Sequence, residues 1–191
     1  MVAAARALLG EGTIPTVEQA ADRAGISRAT AYRYFKNQRL LIASVHPDIR
    51  PSLLPADPPR DPVERAVLVA TEIMRRVVEN ETELRAMLRI SLGGDDDKPD
   101  MPLRKGRRIM WFEDALSPLQ PALSEQHHRR LVLACAAAVG IEPYVWLTDM
   151  AGVSGQEAAE IVVDTVEALV RGTVLRHDQG TSPKRSTSAT R

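Results

Sequence analysis

Residues 16–36, TVEQAADRAGISRATAYRYFK, carry the side chains best suited to chemistry with a polyanion. An arginine can grip guanine O6 and N7 with two parallel N–H bonds, and a threonine can offer thymine a methyl contact. Hydroxyls and lysine suit phosphate oxygens, which place a protein on a duplex without reading its sequence. Arg28 and Thr30 are therefore the candidate base readers, with Ala29 and Arg33 on the same outer face. Ser27, Tyr32, Tyr34 and Lys36 are candidate phosphate contacts, and the Thr16 end of the preceding helix adds free backbone N–H groups for a further one. Local charge agrees. Residues 1–50 hold Arg6, Arg23, Arg28, Arg33, Lys36, Arg39 and Arg50 against Glu11, Glu18, Asp22 and Asp48, while the whole chain balances 25 basic with 25 acidic residues.

These side chains are useful only if helices present them. Thr16 and Gln19 form a capping-box pattern that opens a helix ending at Ala24, and Gly25 supplies a left-handed stop. Ser27 caps a second helix through about Tyr34. Two short helices joined by a three- to four-residue glycine turn are the geometry of a DNA-binding helix-turn-helix. Ala20, Ala21 and Ala24 let the pair cross closely, with Val17, Ile26 and Phe35 packed beneath. A short helix over residues 3–9 precedes the pair, and a fourth, capped by Asn37 and ended by Pro47, follows it.

Beyond this segment the 191-residue chain reads as all-α, with about nine helices and no strand signal. Six prolines in residues 47–62 require a largely extended connection. Helices are expected from Val63, after an Asp61 cap and Pro62, then over 82–92, 103–116, 124–139, near 143–149, and from a Ser154/Glu157 capping box to His177. The organisation is thus 1–46 helix-turn-helix domain, 47–62 connection, 63–177 helical second domain, and 178–191 disordered tail.

The stretch LVLACAAAV (131–139) is apolar on every side of its helix and must be buried all round, one face internally and one against a partner. Leu131, Cys135 and Ala138, with Ile161, Val162, Val166, Leu169 and Val170 of the last helix, are the expected dimer interface. Met74, Met87, Leu88, Met110, Trp111, Phe112 and Trp146 are candidates for a mostly apolar ligand pocket, because methionine and tryptophan fill irregular space.

Several classes are excluded. One cysteine precludes an internal disulfide and any cysteine-rich metal site, and Cys135 in its apolar run is expected to be inert. Adjacent His127 and His128 point about 100° apart on a helix and cannot chelate one metal; a solvated helix start is expected for both. Asp95–Asp97 lacks calcium-loop spacing and reads as a polar loop. No phosphate-binding glycine loop, zinc-protease pattern or nucleophile elbow is present, so neither an enzyme nor a cofactor is expected. The longest apolar run is far short of the roughly 20 residues that span a bilayer, so the reading is cytoplasmic, with no membrane partner.

The run TVEQAADRAGISRATAYRYFKNQRLL, with AARALLGEG before it, resembles the DNA-binding segment of the TetR (tetracycline-repressor-like) family over about residues 4–45. The resemblance implies a homodimeric, ligand-responsive transcription regulator, usually a repressor, whose third helix, here Ser27–Tyr34, reads the major groove of a pseudo-palindromic operator. It further implies an effector-binding and dimerising second domain and a four-helix dimer bundle made by the last two long helices, while the mostly apolar candidate pocket points to a small, largely apolar effector. Three features depart from the family pattern. The first helix is short: either the start is internal to a longer product, or the protein forgoes upstream residues that can touch DNA. Gln38 stands where a phosphate-binding lysine is common, and Ala31 replaces a bulkier aliphatic. These departures keep a second reading in view: a helical dimeric ligand-binding module whose DNA binding is weakened or lost.

Overall fold

The computed structural model describes residues 1–45, 50–92 and 106–181, and these form ten α-helices without a strand. The first four are α1 (Val2–Gly10), α2 (Val17–Ala24), α3 (Arg28–Tyr34) and α4 (Gln38–Val45). Their limits follow from the caps. Thr16 and Gln19 close a complete capping box, with Gln19 N donating to Thr16 Oγ1 at 3.2 Å and Thr16 N to Gln19 Oε1 at 2.8 Å. Gly25 takes the left-handed conformation at φ 65°, and Asn37 Oδ1 accepts from Leu40 N at 2.8 Å to start α4. Pro47, expected to end α4, lies outside the described residues, as do Asp95–Asp97.

The remaining helices are α5 (Pro62–Glu79), α6 (Glu81–Leu92), α7 (Arg107–Ala115), α8 (Glu125–Ala138), α9 (Ile141–Val145) and α10 (Gly155–Thr181). Asp61 caps α5 with Pro62 at its first position, Ser124 caps α8, and Ser154 caps α10. A π-helical turn, Trp146–Met150, follows α9 directly, so the element expected near 143–149 is two pieces. The last helix runs to Thr181, past the expected end at His177. Polar residues do not stop a helix that is already propagating, since each further residue adds a bond without a new nucleation cost. The rest of the expected tail lies outside the described residues.

Two apolar cores organise these elements. The larger joins α5, α7, α8, α9 and α10 around Phe112, Met74, Leu116, Val132, Val139, Tyr144 and Val166. The smaller fills the N-terminal bundle with Ala5, Leu9, Val17, Ala20, Ala21, Ala31, Leu41, Ile42 and Val45. It is completed from a distance. Ala86 and Met87 of α6 are buried in it, while Leu84 touches both cores and Leu88 packs on the larger one. A boundary drawn at residue 46 therefore divides the backbone but not the packing.

Residues 50–61 form no helix and lie against the second core through Leu53 and Leu54. Trp111 Nε1 donates to the Arg50 carbonyl at 2.9 Å, and the Ser52 hydroxyl donates to Asp114. Buried Arg65 holds the end of α7, with Nε on the Ala115 carbonyl and Nη2 on the Asp114 carbonyl, both at 2.8 Å. These bonds satisfy carbonyls that the helix itself leaves without partners.

Two expectations fail on burial. His128 is not solvated: it is buried, and its ring Nε2 lies 3.1 Å from the Leu116 carbonyl, while His127 stays exposed at the cap. Leu131, Cys135, Val162, Val166 and Val170, expected to face a partner, are buried within the chain. A helix that is apolar all round conceals which face turns inward, and packing on α5 and α7 selected these. Burial pushes the Cys135 thiol up to about 12, which leaves it unreactive at neutral pH.

Candidate nucleic-acid interface

The α2–turn–α3 unit is fixed from below by small side chains. Ala20, Ala21 and Ala31 are fully buried, so α2 and α3 approach closely, and Ala31 sits in a filled core despite its size. Ile26 and Phe35 are half-buried at the ends of α3. Ser27 Oγ accepts from Thr30 N at 3.3 Å and starts α3.

That packing leaves one side of α3 outward. Arg28, Ala29, Tyr32, Arg33 and Tyr34 are exposed, as are Ser27, Lys36 and Thr16 at the edges, and Thr30 is half-buried. Two nearby cations are already used. Arg23 makes a two-point pair with Glu11 at 2.7 and 2.6 Å, and Arg6 donates to the Val45 carbonyl at the end of α4. Among the described residues Arg28 and Lys36 have no hydrogen-bonded or ion-paired partner, so the positive charge left for a ligand is concentrated around α3. Arg33 lies 5.4 Å over the Tyr34 ring, which orients its guanidinium along the same surface.

Some polar groups are committed internally. The Tyr32 hydroxyl donates to Glu18 of α2, and this bond holds the Glu18 carboxyl below its ordinary value and raises the Tyr32 phenol. Ser27 and Thr30 share a 2.9 Å hydroxyl contact. Gln38 turns inward, with Nε2 donating to the Pro15 carbonyl at 3.1 Å. It thereby ties the start of α4 to the loop before α2, a role its sequence position did not reveal. The Glu18–Tyr32 pair was equally hidden, because a separation of 14 residues across a turn carries no periodic signal.

Residues 1–45 match the family model described as bacterial regulatory proteins, tetR family. The chain carries a TetR-family DNA-binding domain. No curated protein and no solved structure matches it. Over that segment the chain is similar to DNA-binding transcriptional regulators of the TetR type. No single helix among the described residues is long and apolar enough to cross a membrane.

Only part of the expected ligand-pocket set is brought together. Met74, Trp111 and Phe112 are buried in the larger core, with Leu88 against it, whereas Met87 belongs to the N-terminal core. Met110 and Trp146 are exposed. Trp111 is held by Arg76, whose guanidinium lies 5.9 Å from its ring centre, and by the Arg50 carbonyl. Its indole serves as an anchor for the extended connection. Met and Trp types signal irregular packing, and here much of that packing is between elements of the core.

Proposed function

We propose that the chain acts as a homodimeric repressor, setting two copies of α3 into successive major grooves of a pseudo-palindromic operator and leaving it when a small, largely apolar effector binds the second domain. The observation that carries this reading is the outward face of α3, where Arg28 and Lys36 remain exposed while nearby Arg23 and Arg6 are engaged within the chain. Arg28 reads a base, Ala29 and Thr30 border it, and Thr16, Ser27, Tyr32, Arg33, Tyr34 and Lys36 track phosphates; Tyr32 does so by giving up its bond to Glu18.

Dimerisation has its own support. Along α10, Ile161, Thr165, Ala168, Gly172 and Leu175 are spaced four and three residues apart and are exposed, except for half-buried Gly172, which is the seam of a helix that packs on another helix. Half-buried Ala138 and Leu169 and exposed Leu133, Ala134 and Ala137 border it. The interface therefore uses α8 and α10 as expected, but on their outer faces. The effector is assigned to the core region shared by Met74, Leu88, Trp111 and Phe112, which joins α5, α6 and α7.

Selection of sequences from a random duplex library tests the reading. Recovery of an inverted repeat is expected. Arg28→Ala then costs about 1–3 kcal/mol and relaxes one position in each half-site, whereas Lys36→Ala weakens all duplexes and lowers the salt slope by about one. The internal bonds of Tyr32 and Gln38 favour a second reading, a ligand-binding dimer with weakened DNA affinity. A dimer that enriches no sequence at low salt would establish that alternative.

A further inference from the structure

One acidic side chain stands on the surface offered to the duplex. Glu18 lies in the first turn of α2, half-buried, and its carboxylate accepts a bond from the Tyr32 hydroxyl of α3. Tyr32 follows Arg28 by four residues, so the two share one face of α3 on successive turns. The carboxylate is thereby placed beside Arg28 on the outward side of α3. It is ionised at neutral pH. The Tyr32 hydroxyl, its own backbone N–H and the Thr16 hydroxyl hold it below the usual carboxylate range, and Arg28 adds a longer-range attraction.

Such a charge opposes phosphates, and α2 does not depend on it for its start. A carboxylate in the first turn steadies a helix through the dipole, but Thr16 and Gln19 already close this end with a complete capping box. Tyr32 reaches a phosphate only when its hydroxyl leaves Glu18. The carboxylate then faces the duplex without its α3 donor, and an anion held in an interface without a donor is costly. Few base edges replace that donor. In the major groove guanine shows O6 and N7 and thymine shows O4, all acceptors that repel a carboxylate. Adenine offers N6–H2 beside the acceptor N7, whereas cytosine offers N4–H2 alone.

We propose that Glu18 is a specificity-determining residue of this interface: on binding, the Tyr32 hydroxyl passes to a phosphate and the Glu18 carboxylate accepts a cytosine N4–H in its place. The proposal rests on the reading that α3 enters the major groove, and it adds to Arg28 a second base reader, on α2. The exchange of donors makes binding conditional on sequence. At cytosine each bond given up is replaced; at the other bases the carboxylate is left against an acceptor. Discrimination then comes mainly from the penalty on wrong duplexes, which is how a polar site rejects a partner most strongly. In the free protein the Tyr32–Glu18 bond keeps the carboxylate satisfied and Tyr32 away from non-cognate phosphates.

Sequence selection with the full chain, followed by binding to the selected duplex and its single-base variants, tests the exchange. Wild type is expected to enrich a cytosine at one position of each half-site. Replacing its N4 amino group by hydrogen (2-pyrimidinone opposite guanine) is expected to weaken binding about tenfold, as a mismatch at a read position does. Glu18→Gln is expected to move the preference at that position alone to adenine, whose N6 and N7 suit a carboxamide. Glu18→Ala is expected to relax only that position, to ignore the base analogue and to bind random duplex more tightly, one repulsive charge being gone. Helicity of both variants should match wild type, because the Thr16–Gln19 box is untouched. Tyr32→Phe is expected to weaken all duplexes and keep the cytosine preference. Base preferences unchanged in both Glu18 variants would overturn the proposal and leave the α3 reading standing, the carboxylate then only steadying Tyr32 and α2. A wild type that enriches no sequence would instead remove the α3 reading, and this proposal with it.

Discussion

The two cores of this molecule are built from different materials. The N-terminal one is made largely of alanines and short aliphatics, seated by side-chain caps at Thr16, Ser27 and Asn37. The larger one relies on Phe112, Met74, Tyr144 and a set of valines, with polar anchors such as Arg65 only at its edge. Small residues and caps fix the crossing of short helices closely, so the surface of α3 is set by local rules. Large apolar faces bury more area but specify less about which side of a helix turns inward.

The sharpest break in this comparison lies at Met87, which belongs by sequence to one region and by packing to the other. Met87→Ala is expected to cost about 2–5 kcal/mol in urea denaturation. The loss should appear first as faster exchange in α1 and α4; protection lost only in α5 and α10 would assign the residue to the wrong core. Arg65→Met tests the polar edge of the larger core. It leaves two α7 carbonyls without their donor and is expected to cost about 1–3 kcal/mol, read from the same transition. A neutral result would show that water replaces the guanidinium and that the edge contributes little.

Smaller effects separate local geometry from packing. At Gly25 nothing lies within 4 Å of an added Cβ, so Gly25→Ala should cost about 1–2 kcal/mol from the left-handed backbone alone, seen in thermal melts. A larger loss would mean that the turn carries packing as well. The smallest effect is a pH dependence. Bonds from Arg85 and then Thr148 lower the Asp149 carboxyl from 3.8 to about 2. A depressed carboxylate stabilises the fold above its ordinary value, and that contribution fades as pH falls toward the folded value. The melting difference between wild type and Asp149→Asn should therefore be constant above about pH 5 and shrink progressively toward about pH 1. A difference that does not shrink over that range would place its origin elsewhere.

Local signals made the DNA-binding unit legible. The Thr16–Gln19 box, Gly25 and the Ser27 cap act within four residues, and each is present with the geometry its sequence implies. The second domain was legible as helices but not as faces. Cys135 and Val166 are apolar neighbours of the outward Ala137 and Thr165, and only the competition for α5 and α7 decides which is buried. Tyr32–Glu18, Gln38–Pro15 and Arg85–Asp149 join residues 14, 23 and 64 positions apart, beyond any helical period.

The packing of α6 has a practical corollary for anyone who recombines regulators of this kind. The transferable head is larger than the stretch that resembles its relatives: grafted without Ala86 and Met87 it would arrive with an open flank, and grafted onto a foreign body it would meet a different plug. A chimera that keeps its own α6 beside residues 1–45 carries the head intact, and the join is better made after Leu92 than at the end of α4.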